Sequence, residues 1–69
     1  MITDEHFKQI DTIVAKGLDC TDLLNEWEHG FVSEWADKLE TYGTSVRISD
    51  KQQVIFDRIE GKLKKAGEL

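Results

Sequence analysis

The chain reads as an all-α protein, a small three-helix bundle with a long middle helix. Three observations predict it: apolar residues recur at steps of three and four in three separate stretches, each stretch opens on a capping residue, and proline is absent throughout. With 69 residues the chain makes one domain, 1–69, and buries only about 60% of its unfolded surface.

The first helix is expected over about 4–16. Thr3 is an N-cap type, and Asp4 and Glu5 follow where the helix dipole favours negative charge. Ile2 ahead of the cap and Phe7 four residues inside it are spaced for a hydrophobic staple. Phe7, Ile10, Ile13 and Val14 form one apolar stripe, and Gly17 offers a left-handed stop.

A second start follows within a few residues. Asp19 is placed to cap, with Asp22 three further on and Leu18 and Leu23 spaced as another staple, so the middle helix is expected over about 20–42. Leu24, Trp27, Phe31, Trp35, Leu39 and Tyr42 recur along it before Gly43 ends it. Gly30 lies inside this helix, where glycine costs about 1 kcal/mol relative to alanine, so either another backbone comes close there or the helix bends.

Thr44-Ser45-Val46-Arg47-Ile48 is β-branched but too short and isolated for a sheet, and reads as an extended connector. Ser49 and Gln52 then make an S-x-x-Q capping box that opens a third helix over about 50–66, with Ile55, Phe56, Ile59 and Leu63 as its stripe. In this reading helices 1 and 3 cover the aromatic face of helix 2. The core is Phe7, Ile10, Val14, Leu24, Trp27, Phe31, Trp35, Leu39, Ile55, Phe56, Ile59 and Leu63, and Trp27→Ala is expected to cost several kcal/mol. Such a core seldom supplies more than about 3–5 kcal/mol, which favours self-association.

Composition excludes several classes of function. A large enzyme with a deep enclosed pocket does not fit in this length, no apolar run approaches the roughly 20 residues of a membrane span, and one cysteine closes no intramolecular disulfide. The N-terminus lacks the basic start of a signal peptide, so a cytoplasmic location is expected. His6, Cys20 and His29 sit on different segments without metal-ligand spacing, so no metal is expected. Cys20 reads as a small apolar residue at a helix start, where a thiol pKa is open to lowering. No elbow motif presents Ser33 or Ser45 as a nucleophile and no glycine-rich phosphate loop is present, so neither catalysis nor a cofactor is expected.

From Trp27-Glu28 with Phe31, through Ser49-Asp50-Lys51-Gln52, to Ile55, Ile59 and Lys62, the second part of the chain carries a W-E-x-x-F … S-x-K-Q pattern. Over residues 22–65 it resembles a short helical module of phage and prophage reading frames of uncharacterised role. In larger members that module sits behind a cysteine-rich, zinc-type segment; here helix 1 precedes it. The resemblance implies a helical fold and a mobile-element origin, and it carries over no catalytic residue.

Charge is divided unevenly. Residues 1–40 carry a net −7 and residues 41–69 a net +2, for −5 overall. Asp22, Glu26, Glu34, Asp37 and Glu40 run along helix 2 as a negative rod suited to a protein partner, although helix surfaces are also acidic for solubility alone. Lys51, Arg58, Lys62 and Lys65 share one flank of helix 3, with Arg47 upstream. That flank either contacts nucleic-acid phosphates or offsets the acidic side of helix 2. Overall negative charge and a connector longer than a helix-turn-helix turn favour the protein partner.

Three further residues call for partners. Glu28 falls inside the apolar stripe, where a carboxylate must be paired, and Arg47, Lys51 or Arg58 is expected to supply the cation. Lys38 is expected to cover Trp35 with its stem and pair with Glu34. Val54 and Gly61 share the side of helix 3 away from its stripe, a strip on which a second copy could form a homodimer.

Overall fold

The computed structural model describes residues 1–69. Three helices, α1 (Asp4–Asp19), α2 (Glu26–Tyr42) and α3 (Asp50–Lys65), are joined by single 3-10 turns at Thr21–Leu23 and Gly43–Ser45, and no strand is present. They pack into a bundle of 30 × 20 × 20 Å, and no helix is long and apolar enough to cross a membrane.

The Thr3 hydroxyl accepts from the His6 N–H at 3.0 Å and starts α1 as expected. The helix does not stop at Gly17 but runs to Asp19. Gly17 is helical and buried, and a Cβ there would lie 3.2 Å from Val32 Cγ1 and 3.3 Å from Leu24 Cδ1. Its missing side chain lets α1 approach α2, so its role is packing rather than termination.

The start of α2 is likewise corrected. Asn25, not Asp19, is the cap: its Oδ1 accepts from Glu28 N–H at 2.8 Å while Glu28 Oε1 accepts from Asn25 N–H at 3.1 Å. Leu24 stands extended just before it, which carries that side chain into the core and breaks the helical run expected from residue 20. Gly43 closes α2 with φ +56, a left-handed value that favours glycine. The connector folds back, with Val46 buried, and Thr44 C=O accepts from Ile2 N–H at 2.8 Å. The Ser49–Gln52 capping box opens α3 as read from the sequence. Beyond Lys65 the Glu68 N–H donates to Leu63 C=O across Gly67 at φ +80.

Twelve apolar residues form the core: Ile10, Ile13, Val14, Cys20, Leu24, Val32, Trp35, Leu39, Val46, Phe56, Ile59 and Leu63. The Trp35 and Phe56 rings meet edge to face at 5.2 Å, and Phe31 tilts onto Phe56 at 5.0 Å, so aromatic side chains bridge α2 to α3. The helix backbones come closest where α1 meets α2 and where α1 meets α3.

The principal correction concerns Trp27, which is 62% exposed. Phe7, Phe31 and Ile55 are only half-buried against the core, while Ile13, Cys20, Val32 and Val46 join it. The inward line of α2 is Glu28, Val32, Trp35 and Leu39, which shares Trp35 and Leu39 with the aromatic stripe that the sequence displays but is rotated from it by about 50°. The line begins on a carboxylate, so an apolar-residue count moves the inward face toward Trp27.

Candidate functional site

Glu28 is what turns α2 to this setting. Its carboxylate, 3% exposed, accepts from Lys62 Nζ of α3 at 2.5 Å and from its own cap N–H. Burial alone would push this carboxyl up; the hydrogen bonds from Lys62 and Asn25 N–H, with the charges of Lys62 and Arg58, outweigh that and hold it below its ordinary value. The partner is therefore Lys62 rather than Arg47, Lys51 or Arg58. Lysine has the unbranched stem to run along the core edge from the last turn of α3.

With Glu28 inside, the opposite arc of α2 is polar. Glu26, Glu34, Asp37 and Glu40 are all exposed and fall within roughly 120° of one another at 100° per residue. None has a cation within 4.0 Å, since the two ion pairs in the chain are Lys62–Glu28 and Lys64–Glu60, at 3.7 Å. Asp22 lies apart, in the 3-10 turn before α2. The expected pair of Lys38 with Glu34 is not formed; the ammonium sits 5.0 Å over the Trp35 ring.

Trp27 stands at the edge of the acidic arc, stacked on Phe31 with centroids 5.6 Å apart and planes 15° from parallel. Glu26, Trp27, Gly30, Phe31 and Glu34 line a shallow cleft of about 330 Å³. Gly30 forms part of its wall, with nothing within 4 Å of a Cβ placed there, and α2 continues unbroken through it. The close approach anticipated at Gly30 belongs to Gly17 instead. The sequence held the signal for this site in the i, i+3, i+4 and i+7 set of Trp27, Gly30, Phe31 and Glu34, obscured by reading Trp27 as core.

The basic flank is partly committed. Arg47, Lys51, Arg58 and Lys65 are exposed, but Lys62 is half-buried on Glu28. Val54, 56% exposed, and Gly61 share the outer side of α3.

The soft ligands are dispersed. The His6 ring nitrogen Nε2 lies 2.8 Å from Gln53 Oε1, and Gln53 Nε2 donates to Asp57 Oδ1 at 3.0 Å, a strap between α1 and α3. Cys20 is a buried apolar residue that both ends α1 and precedes the 3-10 turn Thr21–Leu23, rather than opening the middle helix. Burial pushes its thiol pKa up and the Glu68 carboxylate adds to this, contrary to the lowering anticipated at a helix start. No three His, Cys, Asp or Glu side chains are grouped as a metal site would need. No family model, no curated protein and no solved structure matches the chain.

Proposed function

We propose that this is a non-enzymatic binding module that acts by occupancy, docking the outer face of α2 on a basic segment of a partner protein. One observation carries the reading: an indole lies open on Phe31 between two carboxylates, Glu26 and Glu34, that have no cation of their own. An arginine side chain fits such a place, since its guanidinium stacks on indole and pairs with carboxylate. Tryptophan in a partly apolar cleft is the residue type that dominates interface energies, and the net −5 charge steers a basic partner inward.

The test is capture from a host lysate with the wild-type chain and with Trp27→Ala, followed by titration of each recovered protein in purified form. Trp27→Ala is expected to weaken a true partner roughly 30-fold, the equivalent of about 2 kcal/mol. Glu26→Lys with Glu34→Lys is expected to slow association and flatten its salt dependence. A recovered protein that binds all three chains equally refutes the reading. So does nucleic-acid binding at low salt that is lost on Arg58→Glu, which would move function to the flank of Arg47, Lys51, Arg58, Lys62 and Lys65.

A further inference from the structure

Four clefts mark the surface, and three of them include carboxylates: Glu5 and Glu60 in one, Glu26 and Glu34 in the second, Asp11 and Glu40 in the third. The fourth, where the end of α2 meets the connector, holds two cations and no acid. Trp35, Lys38, Tyr42, Ser45, Val46 and Arg47 line about 280 Å³ there. In a chain of net charge −5, a carboxylate-free cleft with two cations runs against the prevailing sign.

Neither cation is paired with a carboxylate of the fold. Lys38 and Arg47 have no carboxylate within 4.0 Å, and neither donates a side-chain hydrogen bond to the protein. Lys38 is held over the Trp35 indole, and Trp35 is fixed by its edge-to-face contact with Phe56, so that ammonium has a rigid footing. Tyr42 is 61% exposed and Ser45 is exposed. The cleft thus combines an open phenol ring for stacking, a hydroxyl, a point-charge ammonium and a planar guanidinium.

From this combination we propose that the cleft binds a nucleotide, its phosphate held between Lys38 and Arg47 and its base stacked on Tyr42. Arginine takes phosphate oxygens through two parallel N–H donors and lysine adds a point charge, while a base offers an aromatic side chain a flat π-face whatever its identity. The volume lies at the small end of ligand sites and suits one nucleotide unit, free or within a strand. Along the α2 axis Lys38 lies about 16 Å and Tyr42 about 22 Å from Trp27, so the phosphate and base positions are separate from that indole, although Trp35 adjoins Phe31 between them at 6.2 Å.

Trp35 lines the cleft and serves as the reporter, in a Trp27→Phe background that removes the second indole. Saturable change in its emission on adding AMP is expected, weakened more than about tenfold by Lys38→Ala or Arg47→Ala, as loss of a charge-assisted contact demands. Tyr42→Ala is expected to weaken AMP while leaving inorganic phosphate unaffected, and Arg58→Glu to change neither. An oligonucleotide of four adenylates that binds more tightly than AMP assigns the ligand to a strand; equal binding assigns it to the free nucleotide. Absence of saturation with both, in variants whose circular dichroism matches wild type, overturns the proposal. Inorganic phosphate binding as tightly as AMP also overturns it, since the base would then contribute nothing.

Discussion

Replacing Lys62 with methionine keeps most of the side-chain volume and removes the only cation within 4.0 Å of the buried Glu28 carboxylate. Breaking a fully buried ion pair costs about 3–5 kcal/mol, because a charge is left without its partner. Here the Lys62 side chain is 39% exposed while that of Glu28 is 4% exposed, so water reaches one partner and only part of that penalty applies. A loss of about 2 kcal/mol at pH 7 is expected, a large share of the stability available to one small core and equivalent to about 8–16 °C in melting temperature. The pH dependence identifies the cause. In wild type the Glu28 pKa is held below its unfolded value, so this carboxylate contributes stability above the ordinary glutamate range, and the contribution is lost as pH falls through the lowered folded value. Without Lys62, burial pushes the pKa upward instead, and protonation relieves the variant. Urea unfolding of both chains from pH 7 to pH 3 is therefore expected to show a gap that begins to narrow while pH is still above the ordinary glutamate value of about 4.3, as the variant's raised pKa is crossed, and narrows further as pH falls through the lowered wild-type value. A gap under about 0.5 kcal/mol, or one that stays constant with pH, would refute the assignment of Glu28 as a buried charge held by Lys62.

Three other perturbations separate the parts of the fold. Trp35→Ala is expected to cost about 3–5 kcal/mol and leave little folded chain, whereas Trp27→Ala costs under about 1 kcal/mol, chiefly its stacking on Phe31; thermal melts by circular dichroism compare them. Gly30→Ala adds a methyl group in open space and is expected to raise stability by up to about 1 kcal/mol. Gly17→Ala presses on fully buried Val32 and lowers stability despite the same helix-propensity gain, so equal shifts in urea midpoint would contradict the packing described. Asn25→Ala removes the acceptor for Glu28 N–H and one half of the capping box, and a loss of about 1 kcal/mol is expected in the same assay.

The helices were legible where local chemistry alone decides them. Thr3 and the Ser49–Gln52 pair form hydrogen bonds within three residues, and sequence spacing suffices to find them. The Asn25–Glu28 box has the same spacing, but Asp19 and Asp22 supplied a competing start a few residues earlier, and the burial of Leu24 decided between them. The inward face of α2 differs by about 50° from the one its apolar residues indicate, because it includes Glu28, whose admission depends on Lys62, 34 residues away. No periodicity within one helix contains that contact. Four acids of the outer face are visible from charge alone, while the indole that gives this face an apolar anchor has core spacing in the sequence and an open position in the fold. The cleft at Lys38, Tyr42 and Arg47 was illegible because Gly43 folds the connector back on α2, and sequence order does not state where the chain returns.

The notch at Gly17 links two positions that stand 15 apart in the chain. A β-carbon at residue 17 would stand 3.2 Å from Val32 Cγ1 and oblige that side chain to give way by a few tenths of an ångström, so descendants of this sequence are expected to vary the two in concert, a larger residue at 17 accompanied by a smaller one at 32. Gly17→Ala combined with Val32→Ala would then be less harmful than the separate losses imply, and a collection of related chains that kept valine at 32 beside alanine or serine at 17 would have had to shift Val32 or its helix by a few tenths of an ångström.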